Sequence, residues 1–385
     1  MRYLIDGCYG DGNIGDECLL RAVAGLVRRA DADAQIAAFS SDSAETEATA
    51  GLAAIAQCNP FGRNIYGSLV KGLLWRTLEQ IRHCDVFILG GGELYRDHVG
   101  LSATLGMFYR MRLARWLGKR VLALGVGAQA ASTWWGRRVL RGALRDAQAL
   151  VFRDQEALAV AQELAPGLPR ACCTPDLVFS LDWEKFRTQR AARCGADAPL
   201  RIGVALKSLP AKHGNCQAVS RRLPLVLKEV LSDLARRQPC QVSVLPFAEA
   251  DQPLAQELAA GLCAVSVAVG PVPPPRIEGL QQAVAELDCL VAVPFHASVF
   301  AFCCGVPAIG LAYDAKVTRL YQAFGMQAQC LAVSDLPAAT LAHRLQQALS
   351  QRQSLGRRLL DGSEQARDAV VETVTTLLTE ASGER

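Results

Sequence analysis

The residues best suited to chemistry stand near the end of the chain. His296 follows Val291-Ala-Val-Pro294-Phe295, and Tyr313, Asp314 and Lys316 follow Ile309-Gly-Leu-Ala312. An imidazole titrates near neutral pH and can pass a proton in either direction. A lysine ammonium can hold an anion or stabilise a departing one, with a carboxylate to orient it. In so apolar a run, His296 can equally be a core imidazole bonded to a backbone carbonyl. Asp314 and Lys316 can equally be a surface ion pair of little consequence. Other cations follow apolar runs or turns in the same way: Arg153, Lys207 and Arg276.

The stretch 291–316 must position these groups. About 20 apolar residues would suffice to span a bilayer, but Pro294, Gly305 and Pro307 divide this run. The spacing predicts a strand at 291–293, a buried helix at 297–304 and a strand at 308–311. Such a βαβ unit, almost without polar surface, belongs at the centre of a parallel sheet. Ligands bind such sheets beyond the carboxyl ends of the strands. His296 follows one strand end, and Asp314 and Lys316 follow the next.

The start of the chain offers a second set. After a strand at 3–5 comes Gly7-Cys-Tyr-Gly10-Asp-Gly12-Asn13-Ile-Gly15-Asp16-Glu17, then a helix to about residue 29. Gly10, Gly12 and Gly15 spell G-x-G-x-x-G, the dinucleotide fingerprint. The acidic residue past the next strand, Asp42, lies further on than the usual ~20 residues. Asp11, Asn13, Asp16 and Glu17 also crowd the loop with acceptors, which suits a pyrophosphate poorly. The preferred reading is a tight loop facing a neutral hydroxylated ligand or an interdomain cleft. Two more strands, at 85–89 and 120–124, run into glycines: Gly90-Gly91-Gly92-Glu93 and Gly125-Val-Gly127. A close strand-to-helix turn explains these equally well.

With 385 residues, two α/β domains are expected. The boundaries read as a Rossmann-like domain at 1–185, a polar linker at 186–199, a second such domain at 200–350 and a helical segment at 351–385. A hydrophobic fraction of 51% and a charged fraction of 20% describe an ordinary soluble protein, and a net charge of +4 is too small to argue for nucleic acid. The 14 cysteines form no C-x-x-C and no Cys/His ligand spacing, so no metal site is expected. Reduced thiols and a start without a signal-peptide core point to the cytoplasm. Trp134-Trp135, followed by Arg137, Arg138, Arg141 and Arg145, can rest on the inner membrane surface. The rival reading is a solvated helix with its aromatics docked on the fold.

Taken in order, these motifs resemble the polysaccharide pyruvyl transferase family. The resemblance rests on Gly7-x-x-Gly10-x-x-Asn13-x-Gly15-Asp16-Glu17, Gly90-Gly91-Gly92, Gly125-x-Gly127, Arg153-Asp154 and Pro175-Asp176. It continues in His296-x-x-x-Phe300-Ala301-x-x-x-Gly305-x-Pro307 and Tyr313-Asp314-x-Lys316. It implies two doubly wound Rossmann-like halves facing a cleft, similar to the GT-B glycosyltransferases. The implied activity is transfer of the enolpyruvyl part of phosphoenolpyruvate, a co-substrate with no further cofactor, to a sugar as a cyclic ketal. The acceptor would be a cell-surface polysaccharide or its cytoplasmic precursor, nucleotide- or lipid-linked. On this reading His296, Arg153 and Asp314 are catalytic, and Lys316, Lys207, Arg276 and Ser298 bind the donor. Gly10, Asn13, Asp16, Glu17, Gly91, Gly92 and Glu93 bind the acceptor. One position departs from the family: Pro294 stands where an anion-gripping arginine is usual. A nucleotide-sugar glycosyltransferase and a non-catalytic glycan-binding relative therefore stay open as alternatives.

Overall fold

The computed structural model describes residues 1–57, 59, 61, 72–97, 101–168, 170–191, 199–208 and 216–383. The chain divides into two compact units, Met1–Leu181 with Gln365–Arg385, and Asp182–Glu364.

The first unit carries strands β1 (Arg2–Asp6), β2 (Gln35–Ser40), β3 (Ala53–Ala56), β4 (Val86–Tyr95), β5 (Arg120–Ala128), β6 (Ala149–Phe152) and β7 (Ala171–Cys173). Between them run helices α1 (Ile14–Ala30), α2 (Ser43–Ala50), α3 (Leu73–His83), α4 (Leu101–Trp116), α5 (Trp134–Asp146) and α6 (Gln155–Leu164). The strands are all parallel, in the order β3-β2-β1-β4-β5-β6-β7. Strand order therefore reverses between β1 and β4, the place where such sheets open a crevice. Central strands buried on both faces demand continuous apolar runs, and Ile5, Phe87, Ile88, Val121 and Leu150 supply them.

The second unit begins with α7 (Glu184–Ala191). Its strands are β8 (Leu200–Ala205), β9 (Cys240–Val244), β10 (Ala268–Val269), β11 (Cys289–Ala292), β12 (Ala308–Ala312) and β13 (Cys330–Ala332). The helices are α8 (Cys216–Arg237), α9 (Gln252–Cys263), α10 (Ile277–Ala285), α11 (Phe295–Cys303), α12 (Ala315–Ala323), α13 (Ala338–Ser350) and α14 (Arg352–Gly383). The sheet is parallel in the order β10-β9-β8-β11-β12-β13, so its reversal lies between β8 and β11. The 291–316 stretch is central, as its composition demands: Val299, Phe300, Ala301 and Phe302 of α11 are fully buried.

Three local expectations shift. The chain passes between units at residues 181–182, ahead of the expected linker at 186–199. Trp183 and Phe186 are buried, with Trp183 edge-on to Phe300, so this segment already belongs to the second core. Residues 192–198 of that linker lie outside the described residues. Strand β4 does not stop at residue 89 but runs through the three glycines to Tyr95, since β5 extends beside it with a register shift near Gly92. Helix α11 starts at Phe295, one residue after Pro294, whose extended ψ of 136° leaves it just outside the helix. His296 therefore lies in the first helical turn, not in the loop before it.

Candidate functional site

In the second unit, three adjacent strands carry ionisable groups past their carboxyl ends. Ala205 of β8 is level with Ala292 of β11, and Gly310 of β12 is also level with Ala292. Lys207 comes two residues after β8 ends. His296 lies in the first turn after β11, and Asp314 and Lys316 lie just past β12. The topology thus brings one imidazole and two ammonium groups to one edge, across the β8/β11 reversal. His296 is half-buried, its ring set edge-on to Phe295 at 5.2 Å. Helix α11 has Pro294 at its N-cap position and no acidic residue in its first turn, so the positive end of its dipole falls at this edge.

The neighbouring groups are less open. Asp314 is the N-cap of α12, and its Oδ1 accepts from the Lys316 backbone N–H at 3.0 Å. That bond explains its place without catalysis. Lys316 extends its ammonium over the Tyr313 ring, 5.8 Å from the centroid. Beside Lys207, Asp251 is buried and accepts from the Ser208 N–H at 2.8 Å. Burial pushes the Asp251 carboxyl up, against the pull of Ser208 and Lys207. Arg276 is exposed at the start of α10, beyond β10 at the far side of the sheet, so it is not brought to the reversal. Ser298 is fully buried, 3.0 Å from the Tyr321 hydroxyl. That hydroxyl is spent inside the fold and does not face the edge.

The first unit builds its own edge at the β1/β4 reversal, and here the loop braces itself. Asn13 caps α1, accepting from the Gly15 N–H at 3.1 Å while its amide donates to Asp16 at 2.6 Å. Glu17, 1% exposed, accepts from the Gly10 N–H through Oε1 at 2.7 Å. Burial pushes the Glu17 carboxyl from its ordinary 4.5 up to about 7, with Glu45, Asp16 and Asp11 adding to the rise. Gly10 sits at φ +79°, where a Cβ would fall 2.3 Å from Ser40 Oγ and 2.4 Å from the Asp42 nitrogen. Only glycine fits there. Gly91 is similar: a Cβ would meet that of Leu19 at 2.7 Å. Tyr9 closes the crevice floor by donating its hydroxyl to the Gly90 carbonyl. Gly92 is looser, with Asp16 Oδ1 3.7 Å from its Cβ position. Of the residues expected to face a sugar, Glu17 and Asn13 thus hold the loop, while exposed Asp11 and half-buried Asp16 remain at its surface.

Two buried ion pairs lie behind this edge. Arg153 donates to Glu93 at 2.7 Å, joining a residue expected to be catalytic to one expected to bind the acceptor. Arg110, 1% exposed, forks onto both oxygens of fully buried Asp6 at 2.7 and 2.8 Å. Asp6 immediately precedes the glycine loop. Sequence reading missed this pair, because Arg110 sits inside a helix 104 residues away with no motif around it. Among the described residues, no three His, Cys, Asp or Glu side chains cluster as a metal would need. A cavity of about 260 Å³ lined by Arg2, Gln35, Gln80 and His83 lies at the amino edge of the first sheet, opposite the loops.

A family model for polysaccharide pyruvyl transferase matches residues 13–315, which takes in the first loop from Asn13 on, the glycines at 90–92 and 125–127, Arg153, Lys207 and the His296 turn. The chain belongs to the polysaccharide pyruvyl transferase family. It is thereby a member of a transferase family of polysaccharide biosynthesis. No curated protein matches the sequence. Solved structures share its fold over almost its whole length. Anabaena HepE in complex with UDP and glucose aligns at 12% identity and TM-score 0.60, covering 100% of both chains. The UDP-GlcNAc 2-epimerase of Neisseria meningitidis bound to UDP-GlcNAc aligns at 10% identity and TM-score 0.62, over 98% of this chain and 100% of that one. Sucrose-phosphate synthase of Thermosynechococcus elongatus aligns at 13% identity and TM-score 0.56, over 99% and 98%. The neighbours are GT-B glycosyltransferases and epimerases, as the two parallel α/β sheets suggest.

Proposed function

We propose that this chain transfers a pyruvyl group from phosphoenolpyruvate to two hydroxyls of a sugar, in a polysaccharide or its precursor. The observation that supports it most is the family match, which runs through His296 and Asp314 to residue 315, along an edge where an imidazole and two ammonium groups follow adjacent strands. In this reading the donor's methylene carbon gains a proton, and one sugar hydroxyl adds to the neighbouring carbon. Phosphate then leaves with the electrons of its C–O bond, and the second hydroxyl closes the ketal ring, releasing its proton. His296 moves the proton to the methylene or from the attacking hydroxyl. Lys207 and Lys316 hold the carboxylate and phosphate. In this reading the amino end of α11 supplies the anion grip lost at Pro294, since backbone N–H groups and the helix dipole favour phosphate.

Pro294 also favours one rival, a glycosyltransferase that uses a nucleotide sugar, as UDP bound to HepE would suggest. The two readings separate on one experiment. Purified protein is incubated with phosphoenolpyruvate and a panel of nucleotide- and lipid-linked sugars, and phosphate release is measured. Release that depends on both substrates and is lost in His296→Ala supports pyruvyl transfer. No release with any acceptor, together with thermal protection by a nucleoside diphosphate, supports the rival.

A further inference from the structure

Four of the chain's five tryptophans are on its surface, and all four belong to one helical layer of the first unit. Trp75 (α3) and Trp116 (α4) are each 75% exposed, and Trp134 and Trp135 (α5) are each 63% exposed. The fifth, Trp183, is buried. Tryptophan is normally among the most highly buried residues of a soluble fold, so four exposed on one layer need a reason. The helices are neighbours, with α4 packed between α3 and α5. Their inner faces cover the sheet, through Ile81, Met111, Leu140 and Leu144, and the tryptophans stand outside. The rival expectation, aromatics docked on the fold, does not hold for Trp134 and Trp135. Their rings stack on each other at 4.1 Å and stay open to solvent.

The same layer is basic. Among the described residues of α3, α4 and α5 the only exposed acidic one is Glu79, and Glu163 of the adjoining α6 reaches Arg137 at 3.9 Å. Asp146, the one carboxylate of α5, is buried and bound by Arg112 at 2.5 Å. Trp134, Arg138 and Arg145 share one stripe of α5 at helical spacings of four and seven, aromatic then basic, while Arg141 between them is half-buried and donates to the Leu164 carbonyl at 2.7 Å. Arg76, Arg82 and Arg115 add charge on the two neighbours. Stacked indoles with flanking guanidiniums match the interfacial zone of a bilayer, where an amphipathic ring sits at headgroup depth and cations meet anionic lipid.

We propose that the outer face of α3–α5 docks on an anionic phospholipid surface, the indoles of Trp134 and Trp135 inserting among headgroups while Arg138 and Arg145 meet lipid phosphates. No described helix is long and apolar enough to cross a membrane, so the contact is with the surface. Charge complementarity selects this occupant: a second copy of the chain would set the same arginines against one another. The proposal does not rest on the pyruvyl transfer reading, because its readout is lipid partition and not turnover.

The full chain is floated with phosphatidylcholine vesicles and with phosphatidylcholine–phosphatidylglycerol vesicles at low and high salt. Expected is flotation with the anionic vesicles only, weakened by salt, and a blue shift of tryptophan emission on binding. Trp134→Ser with Trp135→Ser, and separately Arg138→Glu with Arg145→Glu, should each lower partition by about tenfold or more. Both should keep the wild-type melting temperature, since these side chains are exposed. Three results overturn the proposal: no wild-type flotation with either vesicle, partition unchanged in both variants, or a self-association that the tryptophan variant abolishes in a protein that ignores vesicles.

Discussion

Glu17 makes the first unit's stability depend on pH in an unusual direction. Its carboxyl is raised from 4.5 to about 7 in the folded chain. The folded state therefore keeps the proton more tightly than the unfolded state does. Below about pH 4.5 both states are protonated and nothing is lost. As pH climbs from there to about 7, the unfolded chain ionises first and the folded state loses ground. Above about 7 the loss is complete and constant. A shift of that size, at 1.36 kcal/mol per unit, corresponds to about 3 kcal/mol. Glu17→Gln removes the ionisation while its side-chain oxygen can still accept from the Gly10 N–H. The variant should match wild type at about pH 4 and exceed it by about 3 kcal/mol at about pH 8. For a unit of this size that is a rise in melting temperature of roughly 6–12 °C. Urea unfolding of both proteins at both pH values, followed by a probe in the first unit, measures it. Equal curves at pH 8, or a wild type that gains on the variant as pH rises, would refute the reasoning.

Four further outcomes follow from the geometry. Arg110→Met should cost about 3–5 kcal/mol by stranding the buried Asp6 carboxylate, and Asp6→Leu added to it should recover most of the loss in urea unfolding. Gly10→Ala should lower the melting temperature markedly and lose the first unit's native near-UV signal, because φ +79° and the contact with Ser40 Oγ leave no space for a methyl. Ser298→Ala should cost about 1 kcal/mol and leave KM for phosphoenolpyruvate unchanged, because the hydroxyl is spent on Tyr321. Lys207→Ala and Lys316→Ala should each raise that KM with little change in melting temperature, as expected of cations at a strand edge rather than in a core.

How much of this was legible in the sequence depended on whether the signal was local. The 291–316 stretch told its own story, because Pro294, Gly305 and Pro307 interrupt an apolar run at the lengths of strand and helix. The glycine loop at the start was also local, down to Gly10, whose positive φ the glycine announces. What escaped was non-local or set by a neighbour. β4 runs through Gly90-Gly91-Gly92 because β5 extends beside it, and no residue in the glycine triplet says so. Arg153 and Glu93 could each be picked as polar residues near strand ends. That they spend their charges on each other became visible only when β4, β5 and β6 were laid side by side. Asp97 is a like case: it binds Ser132 and Thr133 at the start of α5, 35 and 36 residues on. Glu17 looked like a sugar contact from its place in a polar loop, and burial turned it into a brace.

The central claim is that this member of the family performs pyruvyl transfer through the edge that carries His296. The most direct test is mass spectrometry of the sugar products formed from phosphoenolpyruvate by wild type and by His296→Ala. The account predicts a product heavier by one pyruvyl ketal with wild type, reduced about 10²–10⁴-fold in rate by the substitution while the melting temperature holds. A ketal formed as fast by His296→Ala, or none formed by wild type with any acceptor of the panel, would contradict it.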